Sequence, residues 1–320
     1  MSTKNLLEPE LQKLAEMPPW ELTDEAIPEI REQLRGMFPI RDAAEHGVRR
    51  TEISVAGHGH DAPQVRCLLY EPVAANGAPR AAYLHLHGGG YLFGAPEQAD
   101  SNRNLPLAGS LSIVVLSVAY RLSPEHSGPS ALHDAYAGLS YLHRNAGRLG
   151  IDASRIGVGG ESAGGGLAAS LSVYARDLGE YPICFTALTV PMLDDRTTGS
   201  AADDVDPLVG EFTWTRANNK YAWAAYLGDA EPAAPQVPGR LEDYRGLPPC
   251  WMFTVSLDLF RDENIEYARN LNKAGVACEL VVLPRANHGF GFVAEAPTTV
   301  RYREYWRSAI ARGLSCAQPT

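Results

Sequence analysis

Two hydrophobic rhythms divide the chain. In the first fifty residues apolar side chains recur at helical spacing. Ile27, Ile30, Leu34 and Met37 fall on one face, and Pro18-Pro19 separates them from a shorter helix around Leu11 and Leu14. From Thr51 the period drops to two: Ile53 and Val55, then Val65, Cys67 and Leu69, mark half-buried strands. Beyond them strands and helices alternate. The strand-like runs are Ala81 to His87, Leu111 to Ala119, Arg155 to Gly159, Ile183 to Val190, Cys250 to Ser256 and Ala277 to Leu283. Leu132, Ala135, Tyr136, Leu139 and Leu142 form a helix face behind Pro129. Leu167, Leu171, Tyr174 and Leu178 form another, which Gly179 closes. Asp262 is placed to cap a helix ending near Gly275, and Tyr302, Tyr305, Trp306, Ala309 and Ile310 line a final helix.

Alternation of this kind predicts an α/β fold, a mostly parallel central sheet covered by helices on both faces. The stretch between Val190 and Cys250 is too long for a simple crossover, and a connection of that length usually has a task of its own. With the amino-terminal helices it is expected to form a helical cap over the carboxyl edge of the sheet. The organisation so read is a cap segment at 1–50, the sheet core at 51–191, a cap insertion at 192–247, and the core again at 248–320.

Charge and cysteine usage narrow the function. A net charge of −10 argues against nucleic acid and anionic membranes as partners. No apolar run approaches the roughly 20 residues of a membrane-spanning helix. Met1 to Glu10 lacks the basic start and apolar middle of a secretory signal, so a cytoplasmic protein is expected. The five cysteines (Cys67, Cys184, Cys250, Cys278 and Cys316) are odd in number, far apart and without a C-x-x-C pair. Neither a zinc site nor a disulfide framework is expected.

The candidate chemistry centres on Gly160-Glu161-Ser162-Ala163-Gly164, which follows a strand and opens a helix. That is the context of a G-x-S-x-G nucleophile elbow. A sharp strand-to-helix turn strains the serine backbone and leaves no room for side chains two positions either side. The helix amino terminus then aims N–H groups where negative charge develops. Gly157-Val158-Gly159 begins like a dinucleotide fingerprint, but Ser162 stands where the third glycine belongs, so no nucleotide cofactor is expected. His87-Gly88-Gly89-Gly90-Tyr91 follows the preceding strand, and its glycines permit close approach of backbone N–H groups to a ligand. Gly89 and Gly90, with Ala163, are the candidate oxyanion donors, and His87 is expected to brace the loop. His85 and His87 share a strand face, but no third ligand accompanies them, and no metal is expected.

An activated serine needs a base, and the base an orienting acid. His288 follows the last strand, whereas the other histidines, from His46 to His143, precede Ser162. Asp258 lies just past the Cys250–Ser256 strand and is the candidate acid, with Asp262 and Glu263 as rivals. The acidic cluster from Asp194 to Asp206, which includes Asp203 and Asp204, fits no calcium-loop spacing and is read as solvated surface.

Taken together, these residues resemble the hormone-sensitive lipase family of bacterial serine esterases. The match runs from Tyr83 to Phe290 and includes His87–Gly90, Tyr120–His126, Gly160–Gly165, Leu247-Pro248-Pro249, Asp258–Glu263 and His288-Gly289-Phe290. The resemblance implies an α/β-hydrolase fold with a helical cap, hydrolysis of short-acyl esters without a cofactor, and a Ser162, Asp258, His288 triad. It supports Gly89, Gly90 and Ala163 as oxyanion donors and implies a homodimer through the final strand and helix. Glu161, Ser123 and Leu259 stand where the family commonly has aspartate, alanine and proline, and Ser127-Gly128 interrupts a proline-rich continuation. These departures bear on substrate preference. The expected partner is a small to medium, uncharged ester. Tyr91, Trp20, Phe38, Trp214, Tyr221 and Trp223 are candidate pocket residues, the competing reading being cap core. An amidase, lactonase or carbamate hydrolase could use the same triad. A non-catalytic small-molecule-binding protein of this fold would lack the histidine.

Overall fold

In a computed structural model, which describes residues 2–35, 37–38, 40–59, 62–74, 77–198 and 206–315, eight strands form one sheet. They are β1 (Val48–Val55), β2 (Val65–Pro72), β3 (Arg80–Leu86), β4 (Val114–Val118), β5 (Ile151–Glu161), β6 (Phe185–Thr189), β7 (Cys250–Val255) and β8 (Cys278–Leu283). Their order is β1-β2-β4-β3-β5-β6-β7-β8. The β1–β2 and β2–β4 pairs are antiparallel and all others parallel. β8 is an edge strand, paired with β7 alone. The inner strands are apolar on both faces because helices cover both. Leu84, Leu86 and Val158 face α3 (Ser130–Arg144), α5 (Ala163–Leu178) and α7 (Arg261–Lys273). Tyr83, Val115 and Phe253 face α2 (Leu105–Leu111) and α8 (Pro297–Gly313). The remaining helices among the described residues are α1 (Ile27–Arg35), α4 (Ala146–Leu149), α6 (Arg216–Leu227) and short 3₁₀ and π turns.

Several elements depart from the expectations. The Leu111 to Ala119 run is not one strand: Leu111 ends α2, Ser112 turns the corner at φ 51°, and β4 begins at Val114. Pro106 and Gly109 hide α2 in the sequence. The proline is harmless in the first turn, and the glycine lets the helix pass against the His46 carbonyl. β5 begins at Ile151 rather than Arg155, because its first half carries Asp152, Ser154 and Arg155 and is not fully buried. The segment around Leu11 and Leu14 is a 3₁₀ helix, Pro9–Glu16, and α1 ends before Met37, which is exposed.

The amino-terminal segment and the 206–247 stretch are bonded to each other across the sequence. Thr3 donates from N and Oγ1 to Glu211 Oε2, both at 2.6 Å. Asn218 Nδ2 donates to the Trp20 carbonyl at 2.7 Å, and the Tyr221 hydroxyl donates to Asp24. Within the acidic cluster, Asp194 pairs with Arg196, Asp195 with Arg240 and Asp206 with Arg261. Asp203, Asp204 and Cys316 lie outside the described residues. No helix among the described residues is long and apolar enough to cross a membrane.

Candidate active site

β5 ends at Glu161 and α5 begins at Ala163, so Ser162 alone makes the turn, at φ 55° and ψ −123°. That backbone conformation is costly for a residue with a side chain and persists only where its surroundings enforce it. They do so here. Ser162 N donates to Thr189 O at 2.9 Å, and Met192 N donates to Ser162 O at 3.0 Å. A Cβ on Gly160 would lie 2.6 Å from the Gly164 carbonyl carbon, and one on Gly164 would overlap the Leu86 and His87 carbonyl oxygens. Backbone therefore packs on backbone around the serine.

The His288 imidazole bridges to both neighbours. Its Nε2 lies 2.8 Å from Ser162 Oγ and its Nδ1 2.8 Å from Asp258 Oδ2. Asp258, in the loop after β7, is fully buried, and its other oxygen accepts from Phe260 N at 2.8 Å. Phe260 also sets its ring edge-on to the imidazole, centroids 5.0 Å apart. Both carboxylate oxygens are thus committed, one to the imidazole and one to the backbone. Asp262 is on the surface, paired with Arg261 at 2.7 Å. It does not cap α7, as the sequence suggested: Phe260 holds the cap position and Asp262 sits inside the first turn, where a negative charge suits the helix dipole. Glu263 is half-buried and accepts from Leu193 N at 2.7 Å and from the Thr197 hydroxyl, and desolvation pushes its carboxyl well above the ordinary range.

The glycine loop passes beside the serine: a Cβ on Gly88 would lie 3.5 Å from Ser162 Cβ. Gly89 and Gly90 take φ 125° and 61°, and Leu92 N and Phe93 N both donate to Gly89 O at 2.9 Å, which closes the turn. Ala163 is the first residue of α5, directly after Ser162. His87 stands behind the loop. It stacks on Tyr120 at 4.1 Å, its Nδ1 donates to Gly88 O at 2.9 Å, and Tyr120 Oη donates to His87 O at 2.7 Å. Burial pushes its imidazole down to about 4, so it is neutral and acts as a brace. His85 lies 2.9 Å from Glu161 and 3.1 Å from Ser117 Oγ. Among the described residues no group of three or more histidine, cysteine or acidic side chains could hold a metal.

Glu161, which the sequence reading took only as a departure from the family pattern, is paired with Arg103 and His85 beside the serine. Burial works against its charge, but the Arg103 ion pair and His85 overcome it and hold the carboxyl down at about 2. Arg103 also lies over the Tyr302 ring, 5.5 Å from its centroid. No spacing rule links Arg103 or His85 to position 161, so nothing local could have revealed the pair.

Of the six aromatic pocket candidates the structure brings three together. Trp214 lies against Gly90, and its ring centroid is 6.5 Å from that of His288. Tyr91 and Trp223 meet at 5.9 Å. Trp20 instead packs edge-on against Phe93, Tyr221 reaches Asp24, and Phe38 is partly buried in the bend after α1. Two residues not singled out as site residues complete the group. Tyr226 stacks on Tyr91 at 3.9 Å, and Asn219 Oδ1 accepts from Trp214 Nε1 at 3.2 Å.

With this geometry in hand, known proteins place the chain. The model of the alpha/beta hydrolase fold family matches residues 83–292. Esterase LipI of Mycobacterium tuberculosis is 31% identical over 297 residues, which cover 92% of this chain and 91% of that protein. Among solved structures, a bacterial heroin esterase superposes with a TM-score of 0.86 at 37% identity, over 98% of this chain and 99% of the other. Esterase LipW of Mycobacterium marinum gives 0.85 at 34% identity, over 98% and 97%. Fold, matched span and relatives agree, and the chain belongs to the α/β-hydrolase family, in its hormone-sensitive lipase group of carboxylic ester hydrolases.

Proposed function

We propose that the protein hydrolyses short-acyl, small to medium, uncharged esters through Ser162, His288 and Asp258. The observation that carries this reading is the unbroken chain of hydrogen bonds from Ser162 Oγ through both imidazole nitrogens to the buried Asp258. Ser162 Oγ attacks the ester carbonyl while His288 Nε2 takes its proton. Asp258 fixes the tautomer and balances the imidazolium. The Gly89, Gly90 and Ala163 amides hold the oxyanion as it forms, in a water-poor setting where such donors act strongly. His288 then returns the proton to the leaving alcohol, and water, activated by the same base, releases the acyl group.

The amino-terminal segment and the 192–247 stretch act as a cap. Trp214 is its contact with the reacting centre, lying against Gly90 and beside His288. An apolar roof there favours uncharged substrates. An amidase, lactonase or carbamate hydrolase would use the same three residues, and matched ester and amide substrates separate them. The test is hydrolysis of nitrophenyl acetate, butyrate and octanoate by the native protein and Ser162→Ala. Turnover of the short esters, lost in the variant by roughly three or more orders of magnitude, is expected. Equal rates in the two proteins, or none in either, would overturn the reading.

A further inference from the structure

Four polar groups beside the glycine loop make no hydrogen bond with the protein: the Tyr91 and Tyr226 hydroxyls, the Trp223 indole N–H and the Asn219 amide nitrogen. All four residues are 2% exposed or less. They form one cluster. Asn219, Trp223 and Tyr226 are spaced four and then three residues apart, on one face of α6. Tyr91 stacks on Tyr226 and meets Trp223 at 5.9 Å. Asn219 cannot turn its nitrogen away to a better partner, because its oxygen is held by Trp214. Phenylalanine would fill the two tyrosine positions equally well. Leaving a buried donor unpaired is costly, so a cluster of such donors fits a site whose partner arrives with the ligand. The indole and the amide nitrogen can only donate, and the phenols can donate too. All are uncharged, which suits a neutral acceptor oxygen better than a carboxylate.

His288 Nε2 must face the leaving alcohol, and Trp214 sits near the imidazole. The Tyr91 hydroxyl lies instead against the first turn of α5: a Cβ on Gly166 would lie 2.8 Å from it.

We propose that Tyr91, Asn219, Trp223 and Tyr226 form an acyl-side subsite that reads an acceptor oxygen. The preferred esters then carry an ether, keto or second ester oxygen on a short acyl group. The proposal rests on the esterase reading above.

Nitrophenyl methoxyacetate and nitrophenyl butyrate test it, since they differ by one oxygen in place of one methylene. Each kcat/KM is divided by the hydroxide-catalysed rate of the same ester, which removes intrinsic reactivity. The native enzyme is expected to favour methoxyacetate by about tenfold, the worth of one or two hydrogen bonds. Trp223→Phe and Tyr226→Phe are each expected to lower that ratio several-fold. A native enzyme that hydrolyses butyrate with a corrected ratio of one or less keeps the esterase reading and overturns the subsite. A ratio unchanged within twofold in both variants also overturns it and assigns the four groups to packing.

Discussion

The nucleophile elbow and the aromatic group of Tyr91, Trp214, Trp223 and Tyr226 lie side by side but are built by opposite means. At the elbow backbone meets backbone. Gly160 and Gly164 are glycines because carbonyl groups occupy the space a Cβ would need, and Ser162 is held at φ 55° by hydrogen bonds to Thr189 and Met192. In the aromatic group side chain meets side chain: Trp214, Trp223 and Tyr226 reach Gly90 and Tyr91 through ring contacts, and a hydrogen bond ties the Trp214 indole to Asn219. The first arrangement tolerates almost no substitution and serves any acyl transfer. The second can exchange one ring for another without moving the catalytic groups. Chemistry and substrate choice are thereby assigned to separate kinds of structure.

If that division is right, the largest loss comes from the smallest change at the elbow. Gly164→Ala adds one carbon where the Leu86 and His87 carbonyl oxygens already stand. A displacement of about 1 Å at a reacting group can cost on the order of 100-fold in rate. Butyrate kcat should fall at least that far, with a lower melting temperature, and near-native kcat would show that the backbone contact can yield.

A smaller effect is expected at Glu161, which supports the elbow through charge. Its carboxyl is held near 2, against an ordinary 4.5. The folded state therefore gains stability above the unfolded-state value and loses it as pH falls toward 2, a contribution of about 3 kcal/mol at neutral pH. Glu161→Gln removes that contribution and leaves Arg103 unpaired. Melting curves from pH 6 to pH 2.5 should show the native protein losing stability steeply below about pH 4.5, and the variant starting lower and changing less. Parallel curves would mean that Glu161 is not the group titrating.

The smallest effect is expected at the rim. Tyr221 donates to Asp24 and binds the two cap segments together near the surface. Tyr221→Phe should cost no more than about 1 kcal/mol and leave acyl-chain preference as it is. An altered preference across acetate, butyrate and octanoate would bring Tyr221 into the pocket wall and blur the boundary between rim and site.

The same division decides what could be read from the sequence. Strand alternation and G-x-S-x-G are local signals, enforced within a few residues, so the mostly parallel sheet and Ser162 were legible. That Asp258 and His288 would meet Ser162 was legible because a strand's carboxyl end delivers each to one edge. α2 was not, because Pro106 and Gly109 disguise a helix whose position comes from packing on His46. The Glu161–Arg103 pair and the Tyr91–Tyr226 stack join residues far apart in sequence, and no periodicity encodes them. Listing aromatic residues by composition named Trp20 and Tyr221 alongside Trp214 and Trp223. Only the three-dimensional arrangement separates those that reach the glycine loop from those that fasten the cap.

The place of β8 gives the machinery an uneven foundation. Ser162 hangs from β5, in the middle of the sheet, whereas His288 follows β8, a partly exposed strand with a single neighbour. Edge elements with few buried contacts open before the core, so on warming His288 is expected to leave its place before Ser162 does. Loss of turnover is then expected to precede loss of the folded core and to reverse on cooling.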